Sequence, residues 1–140
     1  MRPRSPAAFP AAFLALALGA TGALGACSDD ATKRTEGNYC NEVSNHLTDL
    51  SSPVIVTPED IDRVIDSWRA VASTAPLAVQ QEWNIVVISM ETAAAVDPND
   101  PASVQHVADT ARASERAANR VISYTMERCG IQIGTPPPAP

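Results

Sequence analysis

The spacing of apolar residues between positions 61 and 75 constrains the fold more than any other feature of the chain. Ile61, Val64, Ile65, Trp68, Val71, Ala72 and Ala75 recur at three- and four-residue intervals without a miss, which is the pattern of a helix with one buried face. Thr57-Pro58-Glu59-Asp60, just ahead of it, supplies an N-cap, a proline suited to the first turn and early acids that complement the positive end of a helix.

Three further segments share this spacing. In the first, Tyr39, Cys40, Val43, Leu47 and Leu50 fall on one face. Pro76 opens another, with Val79, Trp83, Val86, Val87, Met90 and Ala94 toward a core. Its centre, Trp83 to Ile88, is rich in β-branched residues and suits a strand if taken alone. Good helix formers on both sides, Leu77 to Gln81 and Met90 to Ala95, keep it helical. Asp97-Pro98-Asn99-Asp100-Pro101 is a break and a second cap. The last helix carries Val104, Val107, Ala111, Ala118, Ile122, Thr125 and Cys129 on one stripe and stops at Gly130, ahead of a proline-rich end. The fold class expected is all-α, an up-down four-helix bundle.

The N-terminal residues belong to a different kind of segment. Met1 to Pro6 carry two arginines and no acid, and an apolar run through Ala11 to Leu18 follows, broken by Gly19, Gly22 and Gly25. These are the charged and apolar regions of an export signal. Glycine, threonine and proline dilute the run too much for a permanent membrane span. Leu24-Gly25-Ala26-Cys27, which closes it, resembles the lipobox of bacterial lipoproteins. That resemblance implies cleavage before Cys27 and attachment of long acyl chains such as palmitate to it, placing the chain on the extracytoplasmic face of the cell membrane. The lipobox also accounts for an odd number of cysteines, because a lipidated Cys27 leaves Cys40 and Cys129 to pair as a disulfide in an oxidising compartment. In an up-down bundle of four helices those two cysteines lie at the same end; with three passes they would lie at opposite ends. The chain then divides into a signal peptide (1–26), a tether (27–37), a helical domain (38–131) and a proline-rich tail (132–140).

Cleavage leaves 114 of the 140 residues and removes two arginines, taking the formal charge from −6 to −8. One domain of that length buries a real core. Its acidity argues against nucleic acid, whose binding relies on clustered basic residues.

No catalytic signature is present: there is no nucleophile elbow, metalloprotease helix, phosphate-binding glycine loop or Cys-x-x-Cys pair. The single lysine, Lys33, falls in the tether. Glu42 with His46 and His106 with Asp109 have helical ligand spacing, but each pair offers two ligands, too few for a closed site. The two pairs would also lie about 25 Å apart along a bundle, so no metal and no cofactor is expected. Arg112, Arg116 and Arg120 form a stripe at four-residue intervals, on what is expected to be a solvent face. Glu115 falls close to the core stripe of the last helix and is given no role. Leu77, Ile85 and Ile88 make the third helix apolar nearly all round, so they need a cover. The loop Pro53-Val54-Ile55-Val56 is the expected cover from within the chain; a partner protein or second copy is the functional one.

Tyr39-Cys40 near the start, Ala75-Pro76 at a helix opening and the closing Tyr124 to Cys129-Gly130-Ile131 also resemble a class of small, mostly uncharacterised bacterial lipoproteins and exported proteins. That class implies a helical, disulfide-linked fold and carries no activity to transfer. The function expected is a lipid-anchored, non-enzymatic binding or scaffolding module of the cell envelope, meeting an envelope protein through Leu77, Ile85 and Ile88. The alternative is a carrier of a small apolar or lipid-like ligand between its helices, where the many alanines of the last helix leave room.

Overall fold

The computed structural model describes residues 32–134. The signal, Cys27 and the first residues of the tether, and residues 135–140 of the tail, lie outside the described residues. Among those described, the chain forms five helices and no strand: α1 (Glu36–Asn45), α2 (Leu47–Ser51), α3 (Pro58–Thr74), α4 (Gln80–Ala94) and α5 (Pro101–Cys129). The first of the four expected helices is therefore two. The chain breaks at His46 (φ −109°, ψ 15°), and α2 is fastened to α3 by its own bonds. The Asp49 carbonyl accepts from Trp68 Nε1 at 3.1 Å, and the Asp49 carboxylate accepts from Ser67 Oγ at 2.7 Å and pairs with Arg63.

Local chemistry sets the other boundaries. Thr57 is extended, and the Asp60 carboxylate accepts the backbone N–H groups of Val56 and Thr57 at 3.0 and 2.9 Å, closing the start of α3. Ala75 is extended at the other end (ψ 129°), as a residue before proline must be. The helix expected from Pro76 begins instead at Gln80, because Pro76 to Val79 form a turn closed by Val79 N–H to the Pro76 carbonyl at 2.9 Å. Val79 is fully buried beneath that turn with a non-helical φ of −141°. At α5, Asp100 caps the Ala102 N–H at 2.9 Å, Pro101 takes the first position, and Gly130 ends the helix at φ +65°, a left-handed conformation for which glycine carries no Cβ penalty.

The core is aromatic at its centre. Trp83 packs edge-on against Tyr39 and Trp68, and Tyr39 against Tyr124, with ring centroids 6.3, 5.7 and 5.9 Å apart. Val43, Leu50, Val71, Val79, Val86, Val87, Ala117 and Val121 surround them. Cys40 and Cys129 are bonded, Cα–Cα 5.3 Å, tying the start of α1 to the end of α5. Arg128 and Glu36 meet beside this link at 3.6 Å.

The core stripe of the last helix matches the expected one only in its second half, where Thr125 is buried and Ala118, Ile122 and Cys129 pack against the core. At 29 residues α5 is about 43 Å long, against about 25 Å for α3, so its first half outruns the core. No residue from 101 to 113 is buried, and Val104 is 47 % exposed. The buried positions are Ser114, Ala117, Val121, Tyr124 and Thr125. The core also reaches into the stretch expected as tail: Ile133 is buried against it.

Candidate functional site

The polar atoms at the centre of the core form one directed chain. Thr125 Oγ1 donates its single proton to the Val121 carbonyl at 2.8 Å, so the 2.5 Å contact between Tyr39 and Thr125 hydroxyls has Tyr39 as donor. Trp83 Nε1 donates in turn to the Tyr39 hydroxyl at 3.0 Å. Burial pushes the Tyr39 phenol above its ordinary range, outweighing the opposing effect of its hydrogen bonds with Thr125 and Trp83. A neutral, fully partnered phenol sealed in a core offers neither a base nor an exchangeable proton to a substrate. Tyr39, Trp83 and Thr125 each stand out in the sequence as core positions, but nothing in their spacing shows that three helices bring them to one point.

The positions expected at a partner surface are all open to solvent. Leu77 is 81 % exposed, Ile85 39 % and Ile88 57 %. The loop expected to cover them does not. Val54, Ile55 and Val56 are themselves exposed, and Ile55 lies instead in an apolar cleft of about 200 Å³ with Ile61, Ile65 and Met90. The three positions also do not share one patch. Ile88 lines a groove of about 410 Å³ between α3 and α4, with Arg34 and Arg69. Ile85 lines another of about 280 Å³ toward α5, with Arg116 and Arg120. Leu77 lines neither and stands on the turn ahead of α4.

Charged groups around these grooves differ in how far they are satisfied. Arg69 joins α3 to α4, its Nε donating to Glu91 and its Nη1 to Asp66, each at 2.8 Å; these bonds hold its pKa up. Arg112 is paired with Asp109, whose carboxyl is held low by that bond and by Gln105. Arg116 and Arg120 pair with no carboxylate among the described residues. Glu42 and His46 bond each other at 3.1 Å, while Asp109 bonds Arg112 and Gln105. Among the described residues no three metal-ligating side chains gather. Glu115, expected near the core, is exposed; the buried residue beside it is Ser114, bonded to the Ala111 carbonyl at 2.9 Å and Ser89 Oγ at 3.1 Å.

One further contact lies in the stretch expected to be a free tether. Arg34 Nη1 donates to the Ala75 carbonyl at 3.1 Å, and with the Gln80 amide oxygen turned toward it, Nη1 and Nη2 donate there at 3.1 and 3.0 Å. The tether is thereby docked on the corner between α3 and α4. Asn38 Nδ2 donates to the Thr32 carbonyl at 3.0 Å, and Thr35 caps α1. The only hint of this in the sequence is an arginine close ahead of a helix cap.

No family model matches the chain, and neither a curated protein nor a solved structure matches it.

Proposed function

We propose that the chain is a lipid-anchored protein of the cell envelope, held by Cys27 on the extracytoplasmic face of the membrane, and that it acts without catalysis as a binding or scaffolding module. The observation that carries this reading is the exposure of Ile85 and Ile88 on α4, whose other face is buried in a disulfide-linked core. Each lies in a groove of its own on α4, and the partner is proposed to reach one or both of them. The proposed arrangement is an up-and-down bundle of four passes, with α1 and α2 sharing the first. The Cys40–Cys129 bond supports it, since it requires the start of the first pass and the end of the last to meet.

The lipid anchor rests on the Leu24-Gly25-Ala26-Cys27 pattern. One observation supports it: the pairing of the other two cysteines. Acyl chains at about 0.8 kcal/mol per buried CH₂ hold a domain that has no span of its own. The ligand-carrier alternative is weakened by the interior. The apolar cavity under Trp68, Val86 and Ile133 is about 60 Å³, well below the roughly 150 Å³ that accepts a benzene.

Photo-cross-linking side chains placed at Ile85 and Ile88 in intact cells test the reading, with adducts to a discrete envelope protein expected at one or both. Adducts at neither position, alongside normal folding and membrane recovery, refute the partner. A ligand mass retained by the purified protein in native mass spectrometry would favour the carrier instead.

A further inference from the structure

We infer that the corner between α3 and α4, with Leu77 at its tip and the docked residues Lys33 and Arg34 beside it, is a membrane-contacting face that rests on the lipid headgroups and stands the domain upright on the bilayer. The inference rests on the lipid anchor proposed above and deepens it by naming which surface the membrane covers.

Three features of the chain converge on this corner. The first is the docking of Arg34, which takes the flexibility out of the last part of the tether by bonding it to Ala75 and Gln80. Six residues separate Cys27 from Arg34, seven steps along the chain with a reach of at most about 25 Å even when fully extended. An acylated Cys27 therefore keeps Arg34 and the corner it is bonded to within about 25 Å of the lipid. The second is Leu77 itself. It follows Pro76 on a turn held from beneath by buried Val79, it lines no groove described above, and at 81 % exposure it touches little of the protein. An aliphatic side chain held on a rigid turn suits the headgroup and acyl boundary, as interfacial apolar side chains do.

The third is charge. Lys33, Arg34 and Arg128 lie at the end where the tether meets the domain and offset Glu36, Glu82 and Glu127, while Asp29 and Asp30 follow Cys27 in the sequence. The other end collects Asp49, Glu59, Asp60, Asp62, Asp97 and Asp100, with Arg63 as the basic group among them. That this is one end follows from contacts: Arg63 joins Asp49 and the Val54 carbonyl, and Ile55 sits against Met90 and Ala94. Over anionic headgroups, the acid-rich end is repelled and the tether end, where the charges cancel, is not. The exposed Val54, Ile55 and Val56 then face away from the membrane, about 25 Å out along α3.

The test uses the full acylated protein in phosphatidylcholine–phosphatidylglycerol vesicles with bromine on the acyl chains. Leu77→Trp and Val56→Trp each add an exposed reporter to the signal of Trp83, which is buried, and Trp68, which is partly so. The fluorescence added at position 77 is expected to fall at least twofold relative to unbrominated vesicles, while that at 56 is unchanged. Protein that co-floats with the vesicles but shows no quenching at 77, or equal quenching at both positions, overturns the orientation and leaves the anchor standing. Protein that does not co-float overturns the anchor and the orientation together. A cross-linker at position 77 in intact cells that captures a protein and no lipid also overturns the assignment. Far-UV circular dichroism of both variants establishes that each is folded.

Discussion

Replacing Tyr39 by Phe breaks the directed chain at the middle of the core while leaving the ring and its aromatic contacts in place. Trp83 is fully buried, and without the Tyr39 oxygen its N–H loses its only acceptor. Thr125 keeps its bond to the Val121 carbonyl, so one buried donor is orphaned and the expected loss is about 1–3 kcal/mol. Thr125→Val, close in shape, orphans the Tyr39 hydroxyl proton instead, at a similar cost. The double variant orphans only the Trp83 N–H. It is therefore expected to cost about as much as Tyr39→Phe alone, a coupling on the order of 1–2 kcal/mol between the two sites. Urea denaturation of the four oxidised proteins, followed by far-UV circular dichroism, measures the cycle. A Tyr39→Phe protein within about 0.5 kcal/mol of the parent, or a double variant whose loss equals the sum of the single losses, refutes the directed chain.

Four other outcomes follow from the fold. Replacing both Cys40 and Cys129 by Ala opens a loop of 90 residues and is expected to cost about 4–5 kcal/mol on the chain-entropy account, read as a lower urea midpoint. The Asp49 carboxyl is held below its ordinary range first by Ser67 and then by Arg63. Its contribution is therefore complete above about pH 4 and is lost as pH falls through the lowered value; Asp49→Asn is expected to flatten the acid limb of stability measured from pH 5 to 2. Ile133→Ala is expected to cost about 2–4 kcal/mol, as for a core aliphatic, in the same denaturation assay, where a tail residue would cost almost nothing. Hydrogen exchange along α5 is expected to be at least tenfold faster over 105–113 than over 117–125; equal protection would mean that the first half of the helix is packed by something the fold does not supply.

The sequence made α3 fully legible, because each determinant is local: an acid closing its start, a 3.6-residue stripe, and a residue before proline at its end. The Cys40–Cys129 pair was legible through the resemblance around Cys27, and both caps of α5 through Asp100 and Gly130. What escaped depends on contacts between distant residues. The break at His46 accompanies bonds from Asp49 to Ser67, Arg63 and Trp68, none of which has a local mark. The turn from Pro76 to Val79 looks like a helix start until Val79 is needed in the core. The stripe on α5 was placed on Val104, Val107 and Ala111 because periodicity reports a face but not how far the neighbouring helices extend. Arg34 looked like any tether charge, since the groups it meets come from the far side of two helix boundaries. At the candidate site, Leu77, Ile85 and Ile88 were picked out as a set by apolar excess on one helix, whereas the backbone turn before Gln80 separates Leu77 from the other two.

The links that hold this domain are unevenly distributed. The disulfide, the Arg128–Glu36 pair and the Arg34 docking all fall where the tether joins the helices, with the buried Tyr39 chain just inside. The opposite end has exposed carboxylates, a loop with three exposed aliphatic residues and a helix that outruns its neighbours, joined by surface ion pairs that each contribute little. Stability of this kind is local, so the weakly linked end opens at less cost than the covalently closed one. On the anchoring proposed above, the end nearest the lipid is the one held by a covalent bond. The exposed loop of Val54, Ile55 and Val56 is left at the end farthest from the lipid, apart from Ile85 and Ile88 on α4, where the partner is proposed to dock.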